Sequence, residues 1–417
     1  MEIKRDFYLN KLVQKKQNGL VKVVTGVRRC GKSYLIFVLF KDHLIAEGVK
    51  PDHIIEMAFD VRENKKYRDP DLFDAYVNDK LSDDKMYYVL LDEVQLLSDF
   101  ESVLNGLIRR RNVDIYVTGS NAKFLSKDVI TEFRGRGDEI HMGPLSFAEF
   151  MTVYDGDRYS GFEDFILYGG LPPVVLIPVA EEKVGFLERL FTETYISDIV
   201  GRNRIRNVGE MEELLDILAS NIGTLTNPQK LQNTFRSIKK SKITSATISK
   251  YLGYLAEAYL VEPAKRFDIR GKAYIETPLK YYYVDLGLRN ARINFRQVEM
   301  THSMENVIYN ELRMRQFNVD VGSVIISERN ARGIAVRKQL EVDFVCNKGS
   351  RRYYIQSAYA IPDEAKRLQE ERPLKHIDDS FKKIIITRDA PRVQYTEEGI
   401  LMINVFEFLM NPDSIDY

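Results

Sequence analysis

Cysteine, histidine and tryptophan are scarce in this chain of 417 residues, which has two Cys, five His and no Trp. Cys30 and Cys346 lie in distant segments. So few cysteines and histidines exclude a disulfide framework and a zinc site built from Cys and His. Unpaired cysteines are typical of a reducing compartment, and we expect a cytoplasmic protein.

Net charge and long hydrophobic runs are also missing. The 61 Lys and Arg balance the 61 Asp and Glu, so any basic patch that attracts nucleic acid must be local. The longest uncharged stretch, residues 165–180, is interrupted by Pro172, Pro173 and Pro178. This pattern excludes a membrane span, and the first residues lack the apolar core of a signal peptide. We expect no membrane partner.

Residues 20–140 alternate short β-rich runs with longer helix-like segments. This alternation predicts the α/β fold class, with a parallel sheet covered by helices on both faces. The runs are Val21 to Thr25, Ile54 to Phe59, Tyr87 to Leu91 and Val113 to Thr118.

The rest of the chain changes pattern twice. Amphipathic helical patterns dominate from Ser146 to about Leu260, and strand-like runs return after Thr301. We predict three domains: 1–145 as a core that contains the parallel sheet, 146–284 as a helical region and 285–417 as a second α/β domain.

A phosphate-binding pattern of two glycines, four residues apart and followed by Lys and Ser, lies between the first predicted strand and a helix. Backbone N–H groups of such a loop wrap phosphates, Lys32 reaches the β and γ phosphates, and Ser33 ligates Mg²⁺. The alternative is a plain glycine-rich turn. The predicted ATP-binding residues are Gly26, Val27, Arg28, Arg29, Cys30, Gly31, Lys32, Ser33 and Tyr34.

Two carboxylates, Asp92 and Glu93, follow the apolar run Tyr88 to Leu91. At the carboxyl end of a parallel strand, Asp92 would hold Mg²⁺ and Glu93 would orient or deprotonate the attacking water. Alone the pair is weak evidence, because acidic residues also begin helices. Its position 60 residues after Lys32 strengthens the catalytic interpretation.

Polar residues after the strand that ends at Thr118 are further candidates. Ser120 or Asn121 would sense the γ phosphate, or simply cap the next helix. Arg134 and Arg136 lie in a glycine-interrupted turn, where a guanidinium can stabilise transferring phosphate, often in a neighbouring subunit of a homo-oligomer. The alternative is a solvated charge cluster.

Residues 220–283 hold 11 Lys and Arg against 4 Asp and Glu. Within this segment, two predicted helices and a strand-like hairpin occur in the order of a winged helix. The second helix of that motif enters the major groove of duplex DNA. A helical packing module is the alternative. The DNA-binding candidates are Lys239, Lys240, Ser245, Thr247 and Lys250.

Together these residues resemble a family of bacterial and archaeal AAA-type ATPases with a carboxy-terminal domain like restriction nucleases. The resemblance implies nucleotide, magnesium and water-activating roles for Lys32, Ser33, Asp92 and Glu93, and a winged helix in the middle region. The matching motifs are Gly26 to Ser33, Leu91 to Val94, Gly119 to Asn121, Arg134 to Arg136, Pro144 to Phe150, Gly169 to Pro172 and Tyr282 to Leu288.

The nuclease resemblance implies metal-holding carboxylates at Glu305 and Asp343. Gln356 stands where a second strand carboxylate belongs, and Ala358 where the lysine belongs. A neutral amide is a poor Mg²⁺ ligand and a methyl group supports no attacking water, so we expect no cleavage.

The sequence thus predicts a magnesium-dependent ATPase associated with DNA. Two alternatives stay open at this point: a nucleotide-gated DNA-binding or regulatory protein with little turnover, and a nuclease coupled to the ATPase.

Overall fold

The computed structural model describes residues 3–119, 136–238, 241–296, 298–329, 334–390 and 392–417. These residues divide into two compact units. The first unit is Met1–Pro144 with Glu257–Tyr259, and the second is Leu145–Ala256 with Leu260–Tyr417.

A five-stranded parallel sheet forms the centre of the first unit, in the order β2-β3-β4-β1-β5. This sheet confirms the predicted α/β class. Its strands are β1 (Val21–Gly26), β2 (Ile54–Ala58), β3 (Tyr87–Asp92), β4 (Val113–Thr118) and β5 (Gly137–Met142).

The three central strands are buried along their whole length. Every residue of β1, β3 and β4 is buried, as expected for parallel strands covered on both faces, which appear in a sequence as continuous apolar runs. Helices cover the sheet, and their bounds are Asp6–Gln14, Lys32–Tyr34, Lys41–Ala46, Pro70–Lys80 and Phe100–Leu107, with a π-helical stretch at Leu35–Phe40 and 3₁₀ turns at Pro51–His53, Arg62–Arg68 and Val94–Leu96.

The second unit contains a nine-stranded mixed sheet in the order β13-β14-β12-β11-β10-β9-β7-β8-β6. The strands are β6 (Leu225–Thr226), β7 (Val261–Asp268), β8 (Ala273–Tyr283), β9 (Asn318–Arg329), β10 (Ala335–Lys348), β11 (Arg351–Ala358), β12 (Lys382–Thr387), β13 (Gln394–Tyr395) and β14 (Leu401–Asn404).

Short helices make up the first part of the second unit. Ser146 and Glu149 form a capping box that begins the first of them, because each side chain accepts a hydrogen bond from the other residue's backbone N–H. The helices are Phe147–Met151, Arg158–Tyr168, Pro172–Val175, Ala180–Arg189, Ser197–Asn203, Val208–Ser220, Pro228–Ile238 and Ser245–Glu257, with a π-helical stretch at Leu190–Ile196.

Four further helices and a short 3₁₀ turn accompany the carboxy-terminal strands. The helix Glu364–Lys375 packs on an apolar cluster that includes Val342, Tyr354 and Leu374. The other helices are Leu286–Arg292, Met300–Met314 and Val405–Met410, and the 3₁₀ turn is Ser414–Asp416.

The predicted boundary between residues 284 and 285 does not separate two compact units. The hairpin of β7 and β8 belongs to the same sheet as the carboxy-terminal strands, because Arg266–Asp268 of β7 pair in parallel with Val321–Ser323 of β9. The hairpin and the terminal strands therefore belong to one sheet, which extends across the predicted boundary.

No helix within the described ranges is long and apolar enough to cross a membrane.

Candidate nucleotide-binding site

The loop after β1 has a backbone that only glycine accommodates at its ends. Gly26 has φ 131° and Gly31 has φ 99°, and Arg29 between them is left-handed at φ 66°. A Cβ added to Gly26 would lie 1.9 Å from the backbone oxygen of Met142 in β5. The first glycine of the motif is thus required by the close approach of β5 to the loop.

A helix begins immediately after this loop. The backbone N–H of Leu35 donates to the Gly31 oxygen over 2.8 Å, and the helical backbone continues from Lys32 to Ala46 through the π-helical stretch. The first N–H groups of a helix lack partners within it and favour anions. The loop and helix start therefore have the architecture of a phosphate-binding site.

The ammonium of Lys32 lies against this loop. It donates to the backbone oxygens of Gly26 over 3.0 Å and Val27 over 2.9 Å, and the residue is only 6% exposed. The Lys32 ammonium is thus held at the loop, where it would stabilise the negative charge of a phosphate.

A second cation supports the loop from outside. The guanidinium of Arg5 donates to the backbone oxygens of Cys30 (2.9 Å), Gly143 (2.9 Å) and Pro144 (3.1 Å). Tyr8 of the same amino-terminal segment accepts from the Gly143 N–H over 3.1 Å. Arg5 therefore joins the phosphate loop to the end of β5.

The end of β3 provides the two predicted carboxylates. Asp92 is buried and accepts a hydrogen bond from the hydroxyl of Thr118 at the end of β4. That hydroxyl also accepts from the backbone N–H of Glu93 over 3.3 Å. Glu93 is half-buried, has φ 50° and accepts a hydrogen bond from Gln95.

Strand order brings these groups to one edge of the sheet. β4 lies between β1 and β3, with Val24 opposite Thr118 and Leu91 opposite Val117. Neighbouring parallel strands are about 4.8 Å apart, so the carboxyl ends of β1 and β3 lie about 10 Å from each other. The phosphate loop and the Asp92–Glu93 pair therefore share one edge.

Comparison with known proteins agrees with this arrangement. Residues 18–151 match the model of the family described as an AAA domain. A protein of Haemophilus influenzae that carries only the description uncharacterized protein is 34% identical over 418 residues, which covers 98% of each chain. The chain belongs to one family with that protein, and its first unit is an AAA-type P-loop domain.

Other matches are more distant. A second uncharacterized protein, from Methanocaldococcus jannaschii, is 28% identical and covers 92% of this chain and 84% of its own. Residues 159–299 match a domain of unknown function. The solved structure of AMPPCP-bound DnaA from Aquifex aeolicus is 12% identical and covers 60% of this chain and 86% of its own, at a TM-score of 0.27.

The remaining loop residues of the AAA domain differ in exposure. Cys30 is buried, with its thiol 3.4 Å from the Met142 oxygen, and Arg28 is half-buried. Arg29, Ser33 and Tyr34 are exposed. These three side chains are therefore directly accessible from solvent.

Arg136, one of the two arginine candidates of the AAA domain, is not brought to the phosphate loop. Arg136 is exposed and its backbone oxygen accepts from the N–H of Val21, which is the amino end of β1. It therefore lies about 17 Å, the length of the strand, from the loop. Asn121 and Arg134 lie outside the described residues, as does Ser120.

Sequence reasoning missed two positioning residues of the AAA domain, Arg5 and Thr118. Thr118 was visible only as the last residue of a predicted strand, and its polar side chain at a carboxyl strand end was the available signal. Arg5 had no sequence signal, because its partners are backbone oxygens far along the chain.

Three of the five predicted DNA contacts lie on the helix Ser245–Glu257. Lys250 is exposed, whereas Ser245 and Thr247 are half-buried. The hydroxyl of Thr244 accepts from the Thr247 N–H over 3.2 Å and so caps this helix. Lys239 and Lys240 lie outside the described residues.

The predicted nuclease residues lie together in the second unit. Glu305 is on the helix Met300–Met314, and Asp343 of β10 accepts from the Ser357 N–H of β11 over 2.8 Å. Gln356 accepts weakly from the Asp343 N–H, at 3.5 Å. Ala358 is 2% exposed within the apolar cluster of this unit.

Proposed function

We propose that the AAA domain binds ATP with Mg²⁺ and hydrolyses it. The observation that carries this proposal is the shared sheet edge, where Lys32 and the phosphate loop stand beside Asp92 and Glu93, with Thr118 between them. The phosphate loop follows β1, both carboxylates lie at the end of β3 and Thr118 ends β4, so these groups share the carboxyl edge of the sheet, where parallel sheets bind ligands.

The donor set fits a magnesium nucleotide. The loop offers backbone N–H groups and the Lys32 ammonium to the phosphates, and the exposed hydroxyl of Ser33 with the Asp92 carboxylate would hold Mg²⁺. The ion would supply charge neutralisation on the phosphate oxygens. Thr118 keeps the Asp92 carboxylate oriented toward this edge.

Glu93 is the proposed water-activating group. Its backbone N–H is held by Thr118 and its carboxylate by Gln95, so its position is set by two neighbours. A carboxylate accepts the proton of an attacking water, whereas an amide at the same place cannot. Asn121 remains a proposed γ-phosphate sensor.

We propose that Arg134 and Arg136 act on a neighbouring copy of the chain. The distance of Arg136 from its own phosphate loop supports a role in trans in a homo-oligomer.

The test of the nucleotide site compares two variants of the whole chain. Lys32→Ala should lose ATP binding, because the phosphate-facing cation is removed. Glu93→Gln should bind ATP as the wild type does and lose hydrolysis. Equal hydrolysis by Glu93→Gln and wild type would refute the assignment of Glu93.

We further propose that the middle region associates with duplex DNA as a winged helix. Its element order is helix Val208–Ser220, β6, helices Pro228–Ile238 and Ser245–Glu257, then β7 and β8. β8 pairs with both β6 and β7 in antiparallel fashion, which supports the small three-stranded sheet of that motif.

Exposed cations support the contact with DNA. Two exposed cations, Lys230 and Arg236, lie on the helix Pro228–Ile238. Two more are Lys242, just before the helix Ser245–Glu257, and Lys250, on that helix. The hairpin tip, in contrast, is held by Arg270, which donates to the backbone oxygens of Ile325 and His376. We therefore assign DNA contact to the two helices rather than to the hairpin.

Charge reversal tests this assignment. Lys242→Glu combined with Lys250→Glu should weaken duplex DNA binding and flatten its salt dependence by about 0.9 per lost phosphate contact. Lys85→Glu, an exposed cation of the AAA domain, is the control and should bind normally. Unchanged binding by the double variant would favour a packing role for the region.

We propose, finally, that the second unit does not cleave DNA. Gln356 replaces a carboxylate, and Ala358 lies in an apolar cluster where a lysine ammonium would be costly. Incubation with supercoiled, linear and single-stranded DNA, with Mg²⁺ or Mn²⁺ and ATP, should yield no products. Cleavage that disappears in Asp343→Ala would overturn this proposal.

A further inference from the structure

Three carboxylates and one ammonium form a largely buried group in the second unit. Lys280 of β8 is 3% exposed, Glu305 6% and Asp343 7%. Glu341, two residues before Asp343 on β10, is the fourth member and is more exposed. Lys280 was part of the basic segment expected to face DNA, and its burial removes it from that surface.

The Lys280 ammonium is bound between two of these carboxylates. Its Nζ lies 2.9 Å from Oε1 of Glu305 and 2.7 Å from Oε1 of Glu341. These carboxylates come from a helix and from a different strand, so the ammonium joins three elements that are distant in sequence. An ammonium placed in this way offers its protons to oxygens that would otherwise repel each other.

Aromatic rings pack at the Glu305 side of the group. The hydroxyl of Tyr282 donates to Oε1 of Glu305 over 2.7 Å. The Tyr282 ring stacks on Tyr309, with centroids 4.0 Å apart, and Phe344 packs beside both. Charges in such surroundings are weakly screened, so a buried carboxylate needs a partner.

The protonation of Lys280 is strongly favoured. Burial alone would lower the pKa of Lys280, but Glu305, Asp343 and Glu341 surround it and raise the pKa above its ordinary value. Burial, followed by the charge of Glu305, raises the pKa of the Asp343 carboxyl. The amine therefore stays charged, as a permanent cation of the group.

We propose that the Lys280 ammonium occupies the place of a divalent cation among Glu305, Glu341 and Asp343, so that the second unit functions without a metal ion. This inference rests on the proposed non-cleaving, nuclease-like character of the unit. Glu305 and Asp343 retain the two acidic positions of that pattern, and a divalent cation cannot enter beside an ammonium that already binds the carboxylates of Glu305 and Glu341.

A titration of the nucleotide-free protein with Mn²⁺ tests the proposal. The free ion is measured by its electron paramagnetic resonance. Wild type and Asp343→Asn should bind Mn²⁺ equally. Lys280→Met should gain one site that binds about tenfold more tightly than any in wild type, and Lys280→Met with Asp343→Asn should lose it. Lys272→Met, at an exposed residue of the same hairpin, is the control and should match wild type.

Two results would overturn the inference. The first is a Mn²⁺ site in wild type that Asp343→Asn removes. The second is a folded Lys280→Met protein that gains no site, because the position would then not suit a cation. If Lys280→Met does not fold, the comparison of wild type with Asp343→Asn decides alone. A folded Lys280→Met without a new site, together with a wild type that cleaves no DNA, would refute this inference and leave the proposed function intact.

Discussion

The hydroxyl of Thr118 donates to the carboxylate of Asp92, 26 residues earlier in the chain, and accepts from the backbone N–H of Glu93. One side chain at the end of β4 thus orients both acidic residues at the end of β3. In the proposed reaction Thr118 is a positioning residue, because it acts through Asp92 and Glu93 rather than on the nucleotide.

Thr118→Val should lower ATP turnover about tenfold or more, since it removes both hydrogen bonds but keeps the shape of the side chain. Thr118→Ser retains the hydroxyl and should restore most of the rate. Phosphate release at saturating ATP, with circular dichroism as a check of folding, measures this effect. A Thr118→Val protein as active as Thr118→Ser would show that the hydroxyl has no positioning role.

Arg5→Met should weaken ATP binding about tenfold, because the phosphate loop would lose the contact that holds the Cys30 oxygen in place. Leu12→Ala is the matched control. It destabilises the same amino-terminal helix through a buried apolar side chain but leaves the loop contacts intact. Titration of a fluorescent ATP analogue distinguishes the two. Equal affinities in both variants would reduce Arg5 to a purely structural role.

Gly26→Ala should abolish nucleotide binding and destabilise the AAA domain by about 3 kcal/mol or more, because the new Cβ would overlap the Met142 oxygen. Gly48→Ala is the control, since it too has a positive φ but meets no atom within 4 Å. Thermal unfolding and ATP binding of both variants test this prediction. Normal ATP affinity in Gly26→Ala would contradict the close approach of β5.

Asp285 predicts a pH dependence of the second unit. Its carboxylate accepts from the N–H groups of Gly170 (2.8 Å) and Leu288 (3.0 Å), and burial raises the pKa of this carboxyl from 3.8 to about 6. A carboxyl whose pKa is raised in the folded state stabilises the fold below its unfolded pKa and loses that contribution as the pH rises through the folded value. The unfolding free energy of the wild type, relative to Asp285→Asn, should thus fall by about 2 kcal/mol from pH 4 to pH 7.

Urea unfolding followed by circular dichroism at several pH values measures this difference. Subtraction of the Asp285→Asn data removes the titration of other groups. A difference that is constant between pH 4 and pH 7 would show that the carboxyl is not perturbed by burial.

The features that the sequence predicted correctly depend on residues that are close together in the chain. The phosphate loop and the strands β1 to β4 are contiguous patterns, and their glycines and apolar runs were visible directly. Strand β5 was not identified, because Gly137–Met142 mixes charged and apolar residues at the edge of the sheet.

Contacts between distant segments account for what sequence reasoning missed. The pairing of β7 with β9 joins residues more than 50 positions apart and merges two predicted domains. Lys280 appeared to be a surface charge, because its partners on a helix and on β10 are also far along the chain.

ATP turnover by the purified chain, measured as phosphate release with and without duplex DNA, tests the central claim most directly. We predict Mg²⁺-dependent release by the wild type and none by Lys32→Ala, whose fold should be retained. Absence of release by the wild type under both conditions, or equal release by Lys32→Ala, would contradict the assignment of this edge of the sheet as an ATPase site.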